Sequence, residues 1–274
     1  GDVYKRQWLP TPKPVRTRIP LNATLPAVPA ERVPEVLAKY EGEIQELKIK
    51  VEEKGQSLAD DIARVAAARE ALPNARLKVD ANMGYTLAGA LDALRKLCEY
   101  GIIYAEQPVA SIEDMAALRF AIAKEGLPAR IAADESIRKA EDPLKVARAN
   151  AADLMVIKAA PLGGVRRALA LVEQAQLPAV VSSALESSVG IATGASLAAS
   201  LPTLRYGCGL GTVSLMAEDV TDEPLIARDG FMDLRAITPS PQRLERLATD
   251  EQTRQWWVER VTACYRVLER ACGL

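Results

Sequence analysis

The chain has 274 residues, 49% of them hydrophobic and 26% charged, enough to bury one large barrel core or two modest domains. A formal net charge of −1 supplies no field for nucleic acid or an anionic membrane, and no apolar run approaches membrane-spanning length. The absence of histidine removes Ser-His and Cys-His nucleophile pairs, His-ligated metals and imidazole acid–base chemistry at once. Cys98, Cys208, Cys264 and Cys272 form no Cys-x-x-Cys pair, which argues against a zinc site or a disulfide framework. With no signal-peptide plan at the N-terminus, a cytoplasmic location is expected.

Residues 1–15 show no periodicity and are expected to be a disordered or remnant segment, drawn out by Pro10, Pro12 and Pro14. A first strand is expected near residues 16–25 and helical spacing over 31–40. The apolar run 47–51 reads as a strand, followed by an alanine-rich helix over 57–72 with Ser57 as its cap. The alternation continues with strand 76–80 and helix 86–100, strand 102–105 and helix 111–124, strand 129–133 and helix 141–150. Strand 154–157 precedes helix 164–174, strand 179–181 precedes a helix around 188–201, and a last short strand falls near 205–206.

Eight strands alternating with helices every 25 to 30 residues or so indicate an α/β fold with a parallel sheet covered on both faces. A closed (β/α)8 TIM-type barrel over residues 16–212 is the expected solution, with a doubly wound open sheet as competitor. The competitor is weakened because no Gly-x-Gly-x-x-Gly turn follows the first strand. Residues 213–274 read as a C-terminal extension, irregular or extended over 213–235, linked through Pro239 and Pro241 to an amphipathic helix over 250–272. Trp256, Trp257 and Tyr265 are expected to be packing groups there, since a terminal helix must dock on the barrel or cap by some apolar face.

In a parallel barrel the working groups lie at the C-terminal ends of strands. Three successive strands end in a carboxylate: Val79-Asp80-Ala81-Asn82, Ala105-Glu106-Gln107-Pro108 and Ala133-Asp134-Glu135-Ser136. Steps of about 26 and 28 residues would set Asp80, Glu106 and Asp134 side by side on one rim. Crowded carboxylates repel unless a cation sits between them, and an all-oxygen set suits Mg²⁺ or Mn²⁺. The competing reading, that strand-end acids cap the following helices, suits any one of them better than all three in register. Asn82 and Gln107 are candidates to hold carboxylates or substrate, Asn82 being equally a turn residue.

On Glu46-Leu47-Lys48-Ile49-Lys50-Val51 the two lysines share one face and the apolar residues the other. If that face is enclosed, two ammoniums repel and lose hydration, so at least one is expected to shift towards the neutral form that acts as a base. A solvated strand face explains the same residues. Lys158 closes the apolar strand Val156-Ile157-Lys158 across the mouth, so a cation would bracket the carboxylates on either side. Ser182, Ser183, Glu186 and Ser187 follow the seventh strand and Gly207 to Gly211, including Gly209, the eighth. Small residues there let amides and hydroxyls approach an anion, with plain turn chemistry an equal alternative.

These residues resemble the enolase superfamily, and within it the muconate-lactonizing branch, which has a Lys-x-Lys strand, Asp/Glu/Asp ligands and a lysine on the sixth strand. The segments RIPLNATLPAVPAERV, YAEQP, AADESIRKAEDPL, KAAPLGGVRRAL, VVSSALESSVGI and CGLGT resemble the o-succinylbenzoate synthase family of the actinobacterial kind, from about Val15 to the C-terminal helix. The resemblance implies a barrel with an N-terminal capping domain, of which residues 1–15 are expected to be a remnant. By position it implies Lys50 as catalytic base and acid, Lys48 as its electrostatic neighbour, Asp80, Glu106 and Asp134 as ligands of Mg²⁺ or Mn²⁺, and Lys158 as the opposing lysine. The implied reaction is a lyase step towards menaquinone, dehydrating 2-succinyl-6-hydroxy-2,4-cyclohexadiene-1-carboxylate to o-succinylbenzoate through an ene-diolate. Asn82, Ser182, Ser183, Glu186 and Gly209 are the expected substrate contacts, the last four at its succinyl tail. An N-acylamino acid racemase or dipeptide epimerase would use the same lysines, and a truncated, catalytically silent barrel is the reading of a different class. The expected partner is a small-molecule carboxylate, without nucleic acid or membrane; the oligomeric state is left open, with a monomer favoured.

Overall fold

The structure is a computed structural model and describes residues 15–272, so the expected N-terminal segment lies almost wholly outside the described residues. Strand β1 (Arg18–Pro20) stands apart from the barrel, and seven parallel strands in strict chain order form the main sheet. These are β2 (Ala23–Leu25), β3 (Glu46–Lys50), β4 (Arg76–Asp80), β5 (Ile102–Glu106), β6 (Ile131–Ala133), β7 (Leu154–Ile157) and β8 (Ala179–Val181).

Residues 206–209 take the eighth position. Gly209 N donates to Val181 O at 2.9 Å on one side, and Cys208 N donates to Pro20 O at 2.9 Å on the other. Closure rests on the isolated bridges Leu21↔Cys208 and Ser182↔Gly209, not on the strand expected at 205–206. Gly207 is pressed against the opposite wall, where a Cβ would lie 3.0 Å from the backbone of Leu21 and Asn22. Positions 207 and 209 of the seam therefore demand glycine, which breaks up any β-branched strand signal there.

Alternation along the strands divides the core into two layers. Outward residues such as Leu47, Ile49, Leu77 and Val79 pack beneath the helices. Inward residues Tyr104, Ala132, Leu154, Val156, Val180 and Tyr206 fill the barrel itself. The helices over Leu58–Ala71, Leu87–Leu97 and Ile112–Glu125 are capped by Ser57, Thr86 and Ser111. Asp134 makes no cap bond to the short helix it precedes. Hydroxyls do the capping, which removes the competing reading of the strand-end acids.

Other elements differ from expectation for local reasons. The first expected strand divides: Arg18–Pro20 pairs antiparallel with β9 (Phe231–Asp233), and only Ala23–Leu25 enters the barrel sheet. The helix expected over 141–150 shrinks to Lys145–Arg148, because Pro143 lacks an N–H and disfavours helical geometry at the residue before it. The helix Glu251–Cys272 leaves Trp256, Trp257 and Tyr265 52%, 53% and 59% exposed, so their expected packing is not found among the described residues. Consecutive residues 256–258 point about 100° apart on a helix, and no single face gathers them. The two tryptophans instead meet each other edge to face, with centroids 4.8 Å apart. Among the described residues no helix is long and apolar enough to cross a membrane.

Candidate active site

Burying Leu47 and Ile49 under the helices turns Glu46, Lys48 and Lys50 into the barrel. The same alternation turns Arg76, Lys78 and Asp80 inward on β4. Register sets Lys50 opposite Asp80 and Asp80 opposite Glu106. Glu106 stands opposite Ala132, so Asp134, two residues further on, shares that face. The lysine face is enclosed; the Lys48 side chain is 13% exposed.

Lys48 Nζ donates to Asp80 Oδ2 at 2.9 Å and to Glu106 Oε1 at 3.2 Å. Lys50 Nζ donates to the same Asp80 oxygen at 2.7 Å and to Asn82 Oδ1 at 2.6 Å. On the far flank Lys158 Nζ donates to Asp134 Oδ2 at 2.7 Å. Burial opposes charge on Lys48, but Glu106 and Asp80 outweigh it and raise its pKa above the ordinary lysine value. The expected drift towards neutrality is thus reversed at Lys48, because repulsion between lysines is smaller than attraction to carboxylates on the next two strands.

The carboxylates divide. Burial would raise Asp80, yet Lys48 and Lys50 hold it down at about 2. Glu106 is pushed up to about 7 by burial and then by the charge of Asp80. Among the described residues no group of three or more His, Cys, Asp or Glu side chains converges closely enough to hold a metal ion. Lysine ammoniums sit on the oxygens that a cation would take. The donor set itself fits a hard divalent ion: all three carboxylates are buried, and Glu106 carries a strain that positive charge would relieve.

Asn82 is both a turn residue, at φ 44°, and the partner of Lys50. Its amide Nδ2 reaches Glu135 Oε1 at 3.4 Å, which also accepts from Arg138 Nη2 at 2.8 Å. Sequence reasoning missed Glu135 and Arg138. The signal was the spacing from Asp134, since residue 138 lies one helical turn beyond it, with Nε 3.3 Å from Asp134 Oδ1. Gln107 is fully buried with both amide atoms bonded within the protein: its Nε2 donates to Val109 O at 3.0 Å and Ser136 Oγ at 2.8 Å, and its Oε1 accepts from Asp134 N at 3.0 Å and Ser136 N at 3.1 Å. It braces the loop that carries Asp134.

Elsewhere on the same rim, just past the C-terminal end of β8, Ser182, Ser183 and Gly209 do meet. Ser183 Oγ donates to Gly209 O at 3.0 Å and Ser182 Oγ at 3.3 Å. Their amides are already committed, to Gly209 O and Ile157 O, so an anion there would have to be met by the hydroxyls. Glu186 folds back on its own loop, accepting from Ala184 N at 3.3 Å.

A family model described as Enolase C-terminal domain-like matches residues 30–239. An o-succinylbenzoate synthase of Mycolicibacterium smegmatis is 53% identical over 98% of this chain and 81% of its own length. The chain belongs to the o-succinylbenzoate synthase family of the enolase superfamily. Further o-succinylbenzoate synthases, from Mycobacterium leprae and Mycobacterium tuberculosis, are 49% and 51% identical, each over 96% of this chain and over 76% and 78% of their own lengths. Among solved structures, muconate cycloisomerase from Pseudomonas fluorescens superposes with a TM-score of 0.75 at 28% identity, covering 85% of this chain and 66% of that one. The expected α/β TIM-type fold and family are therefore correct. Enzymes of the enolase superfamily use divalent metal ions, in keeping with the buried carboxylates of this member.

Proposed function

We propose that the chain dehydrates 2-succinyl-6-hydroxy-2,4-cyclohexadiene-1-carboxylate to o-succinylbenzoate, a carbon–oxygen lyase step of menaquinone biosynthesis in the cytoplasm. The observation that carries the reading is the placement of Lys50 and Lys158 on opposite flanks of three buried carboxylates. Removing a proton next to a carboxylate is difficult because a second negative charge builds on the same group. Mg²⁺ held by Asp80, Glu106 and Asp134 would supply compensating positive charge there, and Mn²⁺ suits the same oxygens.

Lys50, in its amine form, takes the proton on carbon at Nζ while the electron pair moves into the carboxylate, giving an ene-diolate. The ring hydroxyl then departs with that proton as water, the ring becomes aromatic, and Lys50 returns to the amine. The balance is loss of one water molecule. Asn82 Oδ1, 2.6 Å from Lys50 Nζ, fixes where the amine points. Lys48 keeps its charge beneath the site, and Lys158 stabilises the ene-diolate from the other face of the ring. The succinyl tail is assigned to Ser182, Ser183, Glu186 and Gly209 at the rim, with Asn82 at the reacting end.

The test is the dehydration rate of the purified protein, followed by ultraviolet absorbance, for wild type, Lys50→Ala and chelator-treated samples. Loss of activity in the last two is expected, by about 10²- to 10⁴-fold for the lysine. Wild-type turnover by Lys50→Ala would overturn the base assignment, and full activity after complete chelation the metal site. N-acylamino acids in deuterated water separate the racemase reading: α-deuterated substrate should not accumulate.

A further inference from the structure

Among the described residues the largest fully buried side chain is that of Arg64, on the helix Leu58–Ala71 behind β3, and the chemistry above makes no use of it. Its guanidinium meets four acceptors. Nε donates to Val28 O at 2.6 Å, and Nη1 donates to the Lys50 carbonyl at 3.0 Å and to Asp61 Oδ1 at 2.7 Å. Nη2 donates to Gln56 Oε1, and Gln56 Nε2 reaches on to Ala27 O at 2.7 Å. Asp61, equally buried, turns Oδ2 to Glu52 N at 2.9 Å and to the Tyr85 hydroxyl at 3.0 Å. One buried ion pair thus ties together the loops that follow β2, β3 and β4, on the rim where the site lies.

The loop held at most points is the one that follows Lys50. Two residues past that lysine, Glu52 has φ 55°. This left-handed conformation costs a residue other than glycine about 1–2 kcal/mol and persists only where its surroundings over-determine it. The amide of Glu52 is the one that Asp61 accepts. A buried ion pair is a poor source of net stability, since apolar residues of the same volume often do as well. What the pair supplies is direction.

We infer that Arg64 and Asp61 are positioning residues for Lys50. By holding the Lys50 carbonyl and the bend at Glu52, they set the line along which Nζ reaches Asp80 Oδ2 and Asn82 Oδ1. The inference rests on Lys50 being the proton-transfer group proposed above.

A double-mutant cycle tests it. Arg64→Lys keeps the charge but only part of the fork; it should lower kcat about 10- to 100-fold and change KM less than about threefold, as displacement of a reacting group by about 1 Å does. Val65→Ala, which opens a cavity under the same helix, should melt earlier and leave kcat unchanged. In a Lys50→Ala background Arg64→Lys should cost no further rate, because its effect passes through the missing lysine. An equal loss with and without Lys50, or an equal loss of kcat in Val65→Ala, would overturn the positioning role while leaving the base assignment standing. Wild-type kcat in Lys50→Ala would instead overturn the base assignment, and this inference with it. If Arg64→Lys fails to fold, Asp61→Asn, nearly identical in shape, goes through the same cycle with the same expected outcomes.

Discussion

Glu106 should make the metal-free protein less stable at neutral pH, and Glu106→Gln should relieve it. Its carboxyl is raised from 4.5 to about 7 by burial and by Asp80. Below pH 4.5 both folded and unfolded chains hold the proton, and nothing is lost. Between 4.5 and 7 the unfolded chain releases it while the folded chain keeps it, so stability falls as pH rises and the full cost applies above 7. At 1.36 kcal/mol per unit the cost is about 3 kcal/mol, part of which offsets the Lys48 contact that glutamine weakens. For a chain of this size that corresponds to a gain in Tm of roughly 5–10 °C for Glu106→Gln at pH 8. Thermal melts of both proteins in chelator at pH 4, 6 and 8 are the assay, with the gap opening only as pH rises. Saturating Mg²⁺ should invert the order, since ligand at about 1,000 times its Kd stabilises the wild type alone by about 4.1 kcal/mol. A gap of equal size at pH 4 and pH 8, or a lower Tm for Glu106→Gln at pH 8 in chelator, would refute the reasoning.

Asp80 carries the opposite sign: held at about 2 by Lys48 and Lys50 against burial, it contributes stability that is complete above 3.8 and lost as pH falls towards 2. Asp80→Asn should therefore destabilise the protein by about 2 kcal/mol at pH 7 and by much less near pH 2.5, as read by denaturant unfolding. Tyr104→Phe should be neutral or stabilising by about 1 kcal/mol, because the Tyr104 hydroxyl is buried without a partner; a loss above that size in urea unfolding would show that the hydroxyl has one. Gln107→Ala removes the acceptor for the Asp134 and Ser136 amides and should weaken Mn²⁺ binding about 10- to 100-fold by calorimetry.

The lysines and carboxylates were legible because strand alternation has a period of two and the strand-end acids recur once per βα unit. Periodicity put Lys48 and Lys50 on one strand face and Asp80, Glu106 and Asp134 at successive strand ends; the expected barrel closure brought the two sets together. The charge state of Lys48 was not legible, because it depends on side chains from two other strands that no local window contains. Arg64 and Asp61 were hidden for another reason: a pair at i and i+3 on a charged helix reads as a solvated ion pair, and only the packed loops reveal it as buried. The roles of Gln107 and Arg138 likewise follow from loops meeting in space. The pairing of β1 with β9 joins stretches with no shared sequence signal, so the first strand was read as one piece.

That last pairing also sets a clock. Arg18 lies opposite Asp233, and Leu21 is bridged to Cys208, so both contacts wait for residues made about two hundred positions later. At a synthesis rate of about 5–20 residues per second, the interval is roughly 10–40 s. For that time Ile19 and Leu21, buried in the finished protein, lack the strand partners they finally pair with, and the nascent sheet presents two open edges. A chaperone, or another unfinished copy, can meet those edges in the interval that ends when the barrel closes.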